Sequence, residues 1–160
     1  MKDPSGTSSA ENSAGKAAAV ERLNARIDDL FVRMSEGLEF VDHAMHEQLE
    51  SVSEIMPLIG NHVLSSGGKR LRPMLVLLSA ELCGYTGSRS VQLGAALELI
   101  HTATLLHDDV VDLSMLRRGQ PAANVIWGNR RAVLAGDFFY GRSSSALRTS
   151  IPGRRSARRV

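Results

Sequence analysis

The sequence predicts an all-α protein, a helical bundle, and three observations carry that expectation. Apolar residues recur at steps of three and four from Val20 to Met34 and again from Leu38 to Val52, the spacing of a single helix face. No segment up to Asp112 alternates with the period of two that a half-buried strand requires. A long apolar run then ends in three carboxylates, Asp108, Asp109 and Asp112, at a spacing that only a helix would place on neighbouring positions of one side.

Taken in order, residues 1–16 are rich in Ser, Gly and Ala without a periodic apolar face, and the expectation is a disordered leader. From about Ala17, the residues Val20, Leu23, Ile27, Leu30, Phe31 and Met34 mark an amphipathic helix. A break near Ser35-Glu36-Gly37 precedes a second helical pattern through Leu38, Val41, Met45, Leu49 and Val52. Pro57 interrupts or starts a third, containing Leu58, Ile59, Val63 and Leu64. His43, His46 and His62 lie in these patterns without a metal-ligand spacing and read as structural or surface residues.

Gly67 and Gly68 stop the third helix and let the backbone approach a ligand, and Lys69, Arg70 and Arg72 follow directly. Pro73 opens a helix to about Cys83 that is apolar from Met74 to Leu78, and Gly84-Tyr85-Thr86-Gly87 closes it as a turn. Ser88 is placed to cap the longest helix, from about Arg89 to Asp112 and on the order of 36 Å long. Within it Gly94, Ala95 and Ala96 make a thin stretch where neighbours pack close or a groove stays open. Beyond Arg117-Arg118-Gly119 and Pro121, the run Ala132 to Asp137 is again apolar up to its aspartate. From Arg142 the apolar periodicity collapses, so residues 142–160 are expected to be a disordered basic tail.

Hydrophobic residues make up 43% of the 160, enough for the core of a single domain, and with only 4% aromatics the packing falls to aliphatic side chains. The formal charge of +2 conceals an asymmetry. Residues 142–160 hold six arginines and no acid, which leaves 13 basic against 17 acidic side chains in the first 141, a net of −4. The basic balance therefore belongs to the tail and is poor support for nucleic-acid binding by the body. The tail's own alternative reading is a segment that binds RNA or an anionic membrane. One cysteine, Cys83, cannot form an internal disulfide, and no apolar stretch has the length of a signal core or a transmembrane helix. A cytoplasmic location is the default.

The chemistry is expected along one stripe. His101, Asp108 and Asp112 are separated by seven and four residues and fall nearly on one line of a helix, with Asp109 one position round. Unit charges about 4 Å apart interact at roughly 4 kcal/mol at an effective dielectric near 20, so clustered carboxylates call for cations or protons. Hard oxygen donors suit Mg2+, which commonly takes one or two carboxylates together with substrate phosphates. A solvated acidic face is the plain alternative, but the carboxylates continue directly from Leu99, Ile100, Ala103, Leu105 and Leu106. With basic segments on both sides, the pattern reads as a polyphosphate pocket.

The ordered set Gly67-Gly-Lys-Arg-Leu-Arg-Pro73, Glu98-Leu-Ile-His101, Asp108-Asp-Val-Val-Asp112, Arg117-Arg-Gly119 and Gly136-Asp137 resembles the N-terminal part of a trans-polyprenyl diphosphate synthase, over roughly residues 20 to 141. The resemblance implies an antiparallel helical bundle of the isoprenoid synthase type, truncated to its N-terminal half, with a synthase segment at 17–141. It implies condensation of isopentenyl diphosphate with an allylic diphosphate, and a homodimer when full length. Asp108, Asp109 and Asp112 would bind Mg2+ as the catalytic carboxylates. Lys69 and Arg72, with Arg70 beside them, would hold isopentenyl diphosphate. His101 would add a further diphosphate contact, Arg117 would meet the allylic diphosphate and Arg118 the isopentenyl diphosphate. Short-chain relatives carry bulky aromatics at the fourth and fifth positions before the first aspartate, here Thr104 and Ala103, so a long-chain product is implied. Ala122 and Asn124 depart from the threonine and histidine of many relatives, and no second aspartate-rich motif is present. A non-catalytic regulatory partner of such a synthase, or a terpene cyclase, are the rival readings, and the chain alone is expected to be inactive.

Overall fold

The computed structural model describes residues 7–50 and 53–150 and falls into two compact units, one ending at Ser35 and one beginning at Glu36. The first is dominated by α1 (Thr7–Arg33), in which Ile27, Leu30 and Phe31 are half-buried while Val20 and Leu23 are exposed. The helix begins well inside the expected leader. Ala10, Ala14 and Ala17 to Ala19 have the highest intrinsic helix propensity, and that preference extends a helix even where no apolar face exists. Met1 to Gly6 lie outside the described residues.

The second unit contains α2 (Ser35–Leu49), α3 (Ile55–Ser65), α4 (Leu71–Leu82), α5 (Arg89–Val111), a hairpin of β1 (Leu116–Arg117) and β2 (Gln120–Pro121), α6 (Ala123–Trp127) and α7 (Asn129–Ser150). The all-α expectation holds, with a two-residue hairpin added. Helix α5 is the spine, packed against α4, α6 and α7. Its Ala95, Leu99, Ala103 and Leu106 meet Val41, Met45 and Leu49 of α2, Ile59 and Leu64 of α3, and Ala132, Ala135 and Phe139 of α7 in one core. Each large aliphatic or aromatic side chain fully withdrawn from water there contributes roughly 1.5–3 kcal/mol. The thin stretch of α5 is a close contact, since a Cβ on Gly94 would stand 3.2 Å from Pro73 Cβ of α4 and 3.3 Å from Val41 of α2.

Two local expectations are corrected. Ser88 occupies the position before α5 but forms no side-chain cap; Ser90 Oγ instead donates to the Gly87 carbonyl at 3.2 Å. The expected tail is helical as far as Ser150, continuing α7, while residues 151–160 lie outside the described residues. The apolar face persists there in small residues. Phe139, Ser143 and Ala146 are buried at steps of four and three, and Ser143 Oγ satisfies itself by donating to the Tyr140 carbonyl at 2.7 Å.

Candidate functional site

The C-terminal turn of α5 separates the three aspartates. Asp108 and Asp112 are exposed, and the Asp112 amide donates to the Asp108 carbonyl at 2.8 Å, so the helical register that puts them on one side continues to Asp112. Asp109 is buried. Arg117 of β1 donates to it through both Nε, 2.7 Å to Oδ2, and Nη2, 2.6 Å to Oδ1. This hydrogen-bonded pairing raises the guanidinium's pKa further above its ordinary value, against the opposing effect of burial and with help from the charges of Asp109, Asp108 and Asp112. The expected third metal ligand is therefore occupied in holding Arg117, and Arg117 in holding it. The signal was present in the sequence. One step round the helix from Asp108 is the inward face, which Asp109 shares with Thr102 and Leu106. Among the described residues no three His, Cys, Asp or Glu side chains gather into a metal cage.

Neighbouring residues fix that turn. Asn124 Nδ2 donates to the carbonyls of Asp109, at 3.3 Å, and Ser114, at 3.1 Å, so it ties the end of α5, where the Asp109 carbonyl also accepts from the Ser114 amide at 2.9 Å, to the segment that follows. His107 Nε2 donates to the Val133 carbonyl of α7 at 3.1 Å and lies 3.5 Å from Asp137 Oδ1. A Cβ at position 136 would come within 2.3 Å of that imidazole, which is why Gly136 precedes Asp137. Asp137 thus acts on the residue beside Asp108 and not on the acidic stripe itself.

The basic segments meet around His101, on the same line of α5 as Asp108 and Asp112. Arg118 (φ 50°) and Gly119 (φ 81°) form a hairpin turn with left-handed backbone at both central residues, and the Arg118 guanidinium covers Gly68, where a Cβ would fall 2.6 Å from Nη1. His62 of α3 secures the hairpin by donating from Nε2 to the Pro121 carbonyl at 2.9 Å, with its ring edge on Trp127 at 5.1 Å. His101 is half-buried, and its pKa is lowered first by burial and then by Arg72, with Arg118 and Arg117 adding to the effect and Glu98 opposing it. Three arginines from two segments, α4 and the hairpin, therefore share its surroundings. Lys69 and Arg72 are exposed and form no ion pair with a described residue. Arg70 differs, since its guanidinium is taken up by Asp42, Glu98 and the Leu64 carbonyl. Asp42, His62, Glu98 and Asn124 were given no site role from sequence; each acts through a contact spanning 10 or more residues, which periodicity does not reveal.

An apolar groove of about 840 Å³ opens between the antiparallel α4 and α5. Arg72 stands at one end, Leu75, Ser79, Leu93 and Leu97 line it, and Tyr85 lies at the other end beside the turn. Leu97 and Thr104 precede Asp108 by eleven and four residues, within about 20° and 40° of its direction on the helix. The groove therefore follows the acidic face of α5. Thr104 is exposed on that face, whereas Ala103 is 1% exposed in the core, so only the first of the two expected length-setting residues adjoins open space.

Residues 53–159 match the polyprenyl synthetase family. The chain is similar to the octaprenyl diphosphate synthase of Escherichia coli, 50% identical over 103 residues that make up 64% of this chain and 32% of that one. It resembles the crystal structure of a decaprenyl diphosphate synthase from Rhodobacter capsulatus at a TM-score of 0.74 and 45% identity, covering 76% of this chain and 38% of the other. A polyprenyl synthase from Caulobacter crescentus, solved in complex with calcium and isoprenyl diphosphate, aligns at a TM-score of 0.75 and 41% identity over 77% and 38% of the two chains. The chain spans about a third of the length of the curated relatives it matches.

Two outcomes follow from this geometry. Asp109→Asn should destabilise the fold by about 1.5–3 kcal/mol in urea titrations, the worth of a hydrogen bond to a charged group, while Asp108→Asn and Asp112→Asn should each remain within about 0.5 kcal/mol of the parent. His101 has a lowered pKa in the free site, and an anion seated among the arginines would raise it, so anion binding takes up a proton. The affinity of the parent for inorganic pyrophosphate, relative to a His101→Asn variant, should accordingly grow as pH falls from about 7.5 to about 6 in calorimetric titrations. A ratio independent of pH would remove His101 from the site.

Proposed function

The chain belongs to the polyprenyl synthetase family, and from that membership together with the site geometry we propose that it carries the diphosphate-binding wall of a trans-prenyltransferase that joins isopentenyl diphosphate to an allylic diphosphate. One observation carries the proposal. Arg72, His101, Arg117 and Arg118 share one electrostatic environment near the two exposed carboxylates of α5, and Arg72 also lines the end of an 840 Å³ apolar groove. Charged heads and an apolar tail are the two halves of a prenyl diphosphate, and the site offers a place for each.

The residues present suit a hard divalent cation. Asp108 and Asp112 are exposed oxygen donors one turn apart, at the C-terminal end of α5, where the helix dipole also favours positive charge. Two carboxylates supply only part of a coordination shell, the usual share when substrate phosphates supply the rest. Asp108 and Asp112 would hold Mg2+, which when bound would draw charge from the leaving diphosphate. Arg117 is held at the same end of α5 because Asp109 accepts from its Nε and Nη2, and would there meet the allylic diphosphate. Lys69, Arg72 and Arg118, with His101, would hold the isopentenyl diphosphate. In the reaction the allylic C–O bond breaks, diphosphate leaves with the bonding pair, the isopentenyl double bond attacks the cationic carbon, and a proton is lost to restore an alkene. Arginines fixed before the reaction begins stabilise the departing charge without reorganising.

The groove supports a long-chain product of the quinone side-chain type. Thr104 is small and exposed on the same face of α5 as Leu97 and Leu93, which line the groove, so a chain running down that face would meet no bulky side chain at position 104. Assembly as a homodimer and a cytoplasmic location complete the proposal by resemblance. Among the described residues no helix is long and apolar enough to cross a membrane.

Calorimetric titration with isopentenyl diphosphate tests the basic arm. Lys69→Ala and Arg72→Ala should each weaken binding by roughly ten- to a hundredfold, and parent-like affinity in both would remove the role assigned to them. Thr104→Phe tests the groove. In an active preparation it should shorten the products seen by chromatography toward ten to twenty carbons, and an unchanged long product would refute the path.

A further inference from the structure

Arg70 stands between the two exposed cations of the basic arm, yet its contacts give it different work. Its backbone is left-handed, φ 46° and ψ 36°, a conformation that residues other than glycine rarely adopt. Its side chain is 14% exposed. Nε donates to Asp42 Oδ1 of α2 at 2.9 Å, Nη2 donates to the Leu64 carbonyl at the end of α3 at 3.3 Å, and Nη1 lies 3.5 Å from Glu98 Oε1 of α5. One planar group thus ties three helices to the residue that opens α4. A lysine ammonium on a flexible stem cannot reproduce that fork.

The arrangement is demanding on both sides. The Glu98 side chain is 5% exposed, its Oε2 has no hydrogen-bond partner among the described residues, and Arg70 is its ion-pair partner. Without Arg70 a buried carboxyl would lose its counter-charge. The left-handed kink in turn decides the direction in which Lys69 leaves the loop and Arg72 enters the first turn of α4. Gly68, two residues before Arg70, is the platform under Arg118, so a shift at Arg70 moves the contact between the two basic segments as well.

We propose that Arg70 is a positioning residue and not a substrate ligand. Its clamp to Asp42 and Glu98 holds the backbone kink that presents Lys69 and Arg72 to the anion, and this rests on the diphosphate reading given above. The clamp is a fixed part of the free protein, so the arm is set before any ligand arrives and little ordering remains to be done on binding.

The test uses the full chain and two measurements, amide hydrogen exchange across residues 67–72 and calorimetric titration with inorganic pyrophosphate. Arg70→Gln and Asp42→Asn should speed exchange in that segment by roughly fivefold or more while exchange in the middle of α5 stays as in the parent. Both should weaken pyrophosphate binding by roughly five- to twentyfold, and Arg70→Lys should not restore it. In a Lys69→Ala, Arg72→Ala background, Arg70→Gln should cause no further loss, because its effect passes through those side chains. Unchanged exchange in both single variants overturns the proposal, as does an undiminished loss in that background, which would mean that Arg70 holds the anion itself. Asp42 is 44% exposed on its side chain, so Asp42→Asn decides the matter if Arg70→Gln does not fold. Faster exchange in a chain whose parent form takes up no pyrophosphate would leave the clamp standing and remove the diphosphate reading instead.

Discussion

The pair of Asp109 with Arg117 is the contact on which the site depends. A carboxylate placed on the core side of α5 is tolerated only with a counter-charge and satisfied oxygens, and the hairpin supplies both in one bidentate contact. The consequence runs in two directions. The hairpin is anchored to the spine, which carries Arg118 over Gly68, and one of three adjacent acids is removed from the outward face. What remains there is a pair of exposed carboxylates one turn apart, with less mutual repulsion than three would have.

Charge is sorted around α5 by the ends and sides of the helix. The carboxylates lie at its C-terminal turn, and the cations reach it from separate segments, α4 and the hairpin, whose backbones are held by Arg70 and His62 respectively. Burial first, and then the crowding of Arg72, Arg118 and Arg117 against the opposing Glu98, make the His101 imidazole hold a proton less readily than in water, and the same cations favour an anion there.

The fold was legible wherever side-chain size and period agreed. α2, α3, α4 and α5 begin and end within about three residues of the positions read from apolar spacing and from Gly67, Pro73 and Gly84. The acidic stripe and the basic loops were legible as composition, which located the site but not its partners. Asp109 was read with its neighbours by motif, although helical geometry alone directs it inward. Arg70 was read as a ligand because its type and position suit one, and only the fold shows Asp42, 28 residues away, already holding it. The end of α7 was missed for a different reason. A reading that counts large apolar residues does not see a face made of Ser143 and Ala146, and the two-residue strands of the hairpin are too short to show any period.

That small-residue face has a consequence for what the α5–α7 contact can tolerate. Ala132, Ala135, Gly136, Ser143 and Ala146 have almost no rotamers to freeze, so bringing the two helices together loses little side-chain entropy, in contrast with a seam of leucines or methionines. The same smallness removes any means of adjustment, because a side chain that ends at Cβ cannot swing aside when its neighbour grows. Phe139 and His107 are the large groups set into this seam, and His107 fits only over the gap at Gly136. Variation along the seam is therefore confined to exchanges among residues of nearly equal volume, while the leucine-lined groove on the α4 side of the same helix is free to change shape.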